Sequence, residues 1–219
     1  MILKRLALAL ALVTGAALIG ALFIAPASAQ GLHKGSNVLS FQLSHGDGDF
    51  VSTESGGFIT SYAHTEWGGQ AQFQHLMSED WGIALSAGVG TFSEKNEPGP
   101  SAPLGSQEFE YSQSSWNVRF GLDRYVHLSP TFHLYGGPGL QYWSGTQERD
   151  FGAVEDESES VTRVALSGRM GAHISLSESF GLNAHMGHFI GKASADDNGA
   201  EASWTPSGND GAIGVAFHF

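Results

Sequence analysis

From Trp81 to Gly90 the chain alternates without a slip. The odd positions are Trp81, Ile83, Leu85, Ala87 and Val89, and the even ones are Gly82, Ala84, Ser86, Gly88 and Gly90. The same period recurs at 116–123, at 164–174, at 180–187 and over the final residues 211–219. Period two belongs to β-strands, whose successive side chains point to opposite faces. Stretches with a 3.6-residue period are nearly absent, so the chain reads as all-β.

The minor faces decide which all-β architecture applies. In a soluble sandwich the apolar face is buried and the other face is charged and solvated. Here the second face carries Gly, Ala, Ser, Asn and Gln, with a few Arg and His. Small and polar side chains suit the crowded inside of a narrow barrel whose apolar face points out to lipid. About ten residues of alternation is also the length of a strand tilted across a bilayer. The expected fold class is therefore an eight-stranded antiparallel up-and-down transmembrane β-barrel.

A weak repeat sets the strand count. Ser78-Glu79-Asp80-Trp81-Gly82-Ile83, Ser129-Pro130-Thr131-Phe132-His133-Leu134 and Ser177-Glu178-Ser179-Phe180-Gly181-Leu182 share Ser-x-x-aromatic-x-aliphatic. Each reads as a short turn followed by a strand whose first outward residue is aromatic. Longer polar stretches, 45–57, 93–110, 145–160 and 191–208, lie between them. Three short turns and four long loops connect eight strands, expected at 36–44, 58–75, 81–92, 111–126, 131–143, 161–174, 180–190 and 210–219. Trp81, Phe132, Phe180 and Phe219 would then form one edge of an aromatic girdle on the periplasmic side. Pro138, which lacks a ladder donor, is expected to mark a kink or bulge.

The N-terminus sets the compartment. Lys4 and Arg5 precede an apolar run from Leu6 to Ile24, Pro26 ends it, and Ala27-Ser28-Ala29 supplies a small-x-small cleavage pattern. Residues 1–29 read as a secretory signal peptide cut between Ala29 and Gln30, leaving a domain of 30–219. Without Lys4 and Arg5, eight basic residues face 22 acidic ones, a formal charge of −14. That excludes a nucleic-acid partner, which needs a basic face. The chain has no cysteine, so no disulfide supports it.

On these patterns the chain resembles the small eight-stranded outer-membrane barrels of Gram-negative bacteria, of the OmpA, OmpX and opacity-protein type. The resemblance covers 30–219 and rests on strand pattern, turn–loop asymmetry and the last strand ending in Phe219. It implies a place in the outer membrane among lipid and lipopolysaccharide. It further implies that Gly211, Ile213, Val215, Phe217 and Phe219 are a signal for the barrel-assembly machinery. A monomer is expected.

Candidate chemistry is sparse. Arg119, Asp123 and Arg169 share the inward parity with His133, His173 and His218, and together they read as a polar network filling the lumen. His185 and His188 face opposite sides of one strand and cannot share a metal. His127-Leu-Ser129 has a His-x-Ser spacing found in outer-membrane lipid A deacylases. It falls in a periplasmic turn with no orienting acid, so no catalytic residue, metal site or cofactor is assigned. Glu148, Asp150, Glu155, Asp156, Glu157 and Glu159 crowd the third loop, and Asp47 and Asp49 open the first. The expected function is a structural and surface-interaction role through these acidic loops. A narrow channel for small solutes or ions is the alternative, and a lipid-modifying enzyme ranks third.

Overall fold

The computed structural model describes residues 32–54, 58–96, 109–150, 157–197 and 200–219, with side chains described for 32–46, 66–93, 112–148, 160–195 and 203–219. The expected signal segment and its Ala29–Gln30 junction lie outside these residues, as do Glu155 and Asp156. The strands are β1 (Asn37–Glu54), β2 (Phe58–Leu76), β3 (Trp81–Asn96), β4 (Phe109–Ser129), β5 (Phe132–Asp150), β6 (Glu157–Ser175), β7 (Phe180–Asp197), β8 (Ala200–Trp204) and β9 (Ser207–His218). Every pairing is antiparallel between neighbours, and β9 closes on β1. β8 and β9 hold one continuous register against β7, from Ala193 opposite Trp204 to Ile190 opposite Ser207. Pro206, which has no N–H to give, interrupts them, while its carbonyl accepts from the Gly191 N–H at 3.0 Å. They are one stave, and the barrel has eight.

The register fixes the shape. From His218 the rungs lead through Val38, Gln74, Ala84, Gly121, Gly139, Ser167 and Phe189 back to Gly208 on the same strand, ten residues from the start. For eight strands with that displacement, ordinary strand rise and spacing give a tilt of about 40° and a backbone radius of about 8 Å. Such an interior is filled by side chains.

The Ser-x-x-aromatic repeat builds the short turns. Trp81 donates its N–H to Ser78 Oγ at 3.1 Å, and Phe132 donates to Ser129 Oγ at 3.0 Å. In the third copy Ser177 donates to the Phe180 carbonyl at 2.9 Å. Strand ends on this side agree with the expected ones within three residues. The opposite ends run further: much of what reads as loop at 45–57, 93–110, 145–160 and 191–208 is paired strand.

Outward side chains delimit the bilayer. Leu43, Leu85, Val89, Phe120, Leu140, Leu166, Met170, Met186 and Ile213 are exposed between two aromatic belts. Trp81, Phe132, Phe180 and Phe219 lie at the turn-side ends of their strands, with Phe180 edge-on to Phe217 at 5.7 Å. Trp67 stacks edge-on with His45 at 4.6 Å, and Trp116 meets Tyr142 at 5.2 Å, on the other side. Trp67 pairs with Thr91, ten residues along β3 from Trp81. At the tilt above, that separation is about 25 Å, the height of a barrel's lipid band.

Pro138 makes neither a bulge nor a register change. The β4–β5 register is the same at Gly121–Gly139 and at Arg124–Gly136, with the rungs between them missing. The shift falls elsewhere, between His127 and Ser129. An absent N–H removes rungs without moving the register, and Pro138 stays opposite Gly168 of β6.

The first hairpin stands apart at its outer half. β1 and β2 pair as far as Glu54–Phe58, but the β1–β9 ladder stops at Gly46–Asp210 and the β2–β3 ladder at Trp67–Thr91. Below that level the closing seam is tight. A Cβ on Gly214 would lie 1.9 Å from the Phe41 carbonyl oxygen, whereas one on Gly168 would meet nothing within 4 Å. Gly214→Ala should therefore sharply lower the heat-shifted folded band on unboiled detergent gels, and Gly168→Ala should leave it unchanged. Equal folded fractions would mean the seam has slack.

Candidate functional site: the filled lumen

The inward parity places a column of polar groups along the barrel axis. Near mid-height Arg169 donates to both Asp123 oxygens, Nε to Oδ1 at 3.2 Å and Nη2 to Oδ2 at 2.5 Å. Its Nη1 donates to Gln72 Oε1 at 2.5 Å, and its guanidinium lies 5.4 Å from the Tyr135 ring. The paired side chains are 2% and 1% exposed, so this ion pair is fully desolvated. Arg119 is inward and buried beside it but does not bond the carboxylate. Its Nε donates to Ser167 Oγ at 3.0 Å and its Nη2 to the Gly137 carbonyl at 3.5 Å.

Toward the turn side, Tyr135 donates to Asn183 Oδ1 at 2.6 Å, and the Asn183 amide donates to Ser40 and Gln74. Leu32, Val38, Leu76, Tyr125, Tyr135 and Ala216 form an apolar cluster there. The histidines sit in the same layer, but in two pairs. His173 and His218 meet Nε2 to Nε2 at 2.7 Å, and His133 meets His127 Nδ1 to Nδ1 at 2.7 Å. His133 and His173 are directly opposite on β5 and β6, with ring centroids 6.2 Å apart. Among the described residues no three His, Cys, Asp or Glu side chains are arranged to hold a metal ion.

The His-x-Ser spacing does not produce a dyad. His127 is the last inward residue of β4 before its bulge, and its Nε2 bonds the Glu79 carbonyl at 2.6 Å. Ser129 Oγ instead accepts the N–H groups of Thr131 and Phe132. With both imidazole nitrogens committed elsewhere, His127 does not activate this hydroxyl. His188 points outward to Asn209 at 3.1 Å, while His185 is inward. Ile213, Val215, Phe217 and Phe219 form the outward row of β9 with Gly211, and the Asn37 N–H donates to the carbonyl of Phe219.

Three charged lumen residues escape the sequence reading. Glu66 accepts from Gln113 at 2.5 Å, Ser115 at 3.2 Å and Trp143 Nε1 at 3.2 Å. Arg163 stacks over Phe189 at 3.8 Å and near Trp143 at 5.2 Å. Asp210 is inward at the end of the β1–β9 ladder. Arg163 shares the parity of Arg169 on one strand, a signal the sequence did carry. Glu66 lies where the alternation fades. Between these groups are two cavities of about 10 and 50 Å³, the first lined by Arg119, Asn117 and Asp210. They have room for water molecules and little else.

A closed barrel with an apolar belt outside, aromatic edges and a polar filled interior is a transmembrane barrel of the outer-membrane class. The chain belongs to the family described as outer membrane protein beta-barrel domain, whose model matches residues 14–219. Among solved structures it is similar to the outer membrane protein OprG of Pseudomonas aeruginosa, at 15% identity and TM-score 0.61, covering 88% of this chain and 99% of that one. It is also similar to Ail, the attachment invasion locus protein of Yersinia pestis, solved with the heparin analogue sucrose octasulfate. That match has 13% identity and TM-score 0.51, covering 85% and 99%. At these identities the likeness is one of fold. No curated protein matches the sequence.

A buried pair is costly to halve and cheap to replace whole. Arg169→Met should destabilise the barrel by about 3–5 kcal/mol, because the Asp123 carboxylate is left buried and unmatched. Asp123→Leu with Arg169→Met should recover most of that loss. Urea unfolding in detergent micelles, followed by tryptophan fluorescence, measures both.

Proposed function

We propose that this protein is a plugged outer-membrane anchor that works at its outer end, through an acidic rim. The observation that carries this reading is where the charge lies. Of the 22 acidic residues, sixteen fall in 47–54, 94–110, 148–159 and 196–201, against two basic ones, Lys95 and Arg149. These segments are the outer strand ends and the loops joining them. The lumen beneath, crossed by Asp123, Arg169, Gln72, Arg119 and Ser167, has no room for a solute. Such a rim attracts cationic surfaces, or binds lipopolysaccharide phosphates through divalent cations. It would repel a polyanion of the kind bound in the Ail structure. On the same reading Gly211, Ile213, Val215, Phe217 and Phe219 are presented to the assembly machinery as an apolar row, and the barrel performs no catalysis.

A second reading, a narrow conduit, is favoured by one feature. The cavity of about 50 Å³ is lined by inward Glu66, Arg163 and Asp210 and also by outward His45, Trp67 and Val89, so it reaches the wall where the first hairpin leaves its neighbours. Planar-bilayer recording separates the two. The anchor predicts no steady conductance from wild type, and channels only after Asp123 and Arg169 are both replaced by alanine. Steady wild-type conductance would favour the conduit. Neutralising Glu148, Asp150, Glu155, Asp156, Glu157 and Glu159 should reduce retention of expressing cells on a polylysine surface, with the heat-shifted band unchanged.

A further inference from the structure

Between the two aromatic belts the described outward residues are apolar, small or uncharged polar, with one exception on the periplasmic half. Arg124 of β4 points outward among Leu122, Val126 and Leu134. Its side chain is exposed and makes no hydrogen bond, ion pair or ring contact with any described residue. Its rung partners are Trp81, in the periplasmic belt, and Gly136. Gly136 leaves a gap in the wall, a groove of about 430 Å³ lined by Arg124, Val126, Leu134, Tyr135 and Gly136. The gap is built in, since a Cβ at Gly136 would lie 2.8 Å from the Arg169 carbonyl oxygen.

A guanidinium cannot stay bare in hydrocarbon. From a position one strand away from the interfacial Trp81, its stem reaches the headgroup layer. Its planar fork matches a phosphate in two places, where an ammonium offers a point charge. We infer that Arg124 and the Gly136 groove form a binding site for one anionic phospholipid of the periplasmic leaflet. The phosphate sits on the guanidinium and an acyl chain runs along the groove between Val126 and Leu134. A phosphatidylglycerol-type headgroup, with net charge −1, balances the single cation. A zwitterionic lipid brings a cation that no carboxylate in the groove lining meets. The site goes beyond the anchor reading and does not depend on it.

The test uses the full chain in detergent, incubated with equal amounts of palmitoyl-oleoyl phosphatidylglycerol and phosphatidylcholine, with retained lipid counted by native mass spectrometry. Wild type should keep phosphatidylglycerol in preference, and Arg124→Gln should lower that retention about fivefold, as expected for one interfacial charge. Arg124→Lys should fall between them, and Lys192→Gln, at the other belt, should match wild type. Equal retention of the two lipids by wild type would overturn the site. So would Arg124→Gln behaving as wild type, or Lys192→Gln losing lipid to the same extent. Should Arg124→Gln fail to give the heat-shifted band, wild-type selectivity and Arg124→Lys decide the question.

Discussion

In lipid no water stands ready to satisfy a backbone N–H or C=O, and every other feature of this barrel follows from that. A sheet can cross the bilayer only if its edges meet. Here they meet along the β1–β9 ladder, from Val38–His218 to Gly46–Asp210. The ten-residue displacement on going once round sets the tilt, the tilt sets the radius, and the radius sets what fits inside. The close approach of Gly214 to Phe41 marks how little tolerance the seam has. The ladder is allowed to lapse on the outer side, at about the level of Trp67 and Trp116, where water again becomes a partner. Both conditions follow from the same hydrogen-bond accounting.

The narrow interior imposes an electrostatic rule in turn. Charges confined in a space about 8 Å in radius must be matched within it. Among residues with described side chains, three guanidinium groups face inward, Arg119, Arg163 and Arg169, against three carboxylates, Glu66, Asp123 and Asp210. Counted over those side chains, the interior is formally neutral although the chain is strongly acidic. Arg124 aside, the described side chains bring no net charge into the lumen or the lipid band, and the excess acid lies at the ends, mostly at the outer one. The Asp123–Arg169 pair adds little net stability, since its desolvation offsets its attraction. What it supplies is a single way of filling the cross-section, with Gln72 and Tyr135 locked against the same guanidinium.

This physics also explains which parts could be read from the sequence. Alternation is written where one face meets lipid and the other the lumen, as at Trp81–Gly90 and Val164–Ile174. Above the outer belt the inward face is still filled, by polar Gln113 and Gln147 beside Val161 and Ala195, so the contrast of apolar outside and small polar inside fades while the strands continue to Glu54, Asn96 and Asp150. The turns were legible because Ser78 and Ser129 cap the N–H of a following aromatic, a local pairing that sequence spacing records. Which lumen groups bond was not legible. Parity places Arg119, Asp123 and Arg169 on one face, but only the registers of three strands bring Asp123 to Arg169 and leave Arg119 to Ser167. The histidines show the same limit: one shared layer, yet two pairs that the spacing does not foretell. At Pro138 the missing donor removes rungs but leaves the register unchanged, so the expected bulge is absent.

On the proposed anchor reading, the filled interior and the acidic rim make the ends of the barrel the place where it acts. A conducting barrel of this width would need its crossing side chains to move together, because removing one member of the Asp123–Arg169 pair leaves a buried charge rather than a pore. The central groups are firmly held: Arg169 uses all three of its nitrogens, and Glu66 is fixed by Gln113, Ser115 and Trp143. The outer half of the first hairpin, by contrast, is paired only within itself among the described residues. It carries Asp47 and Asp49 on β1, above the level where β9 departs. Of the paired elements, this one leaves the closing ladder before its end, so on the proposed anchor reading it is the edge that a surface partner would meet.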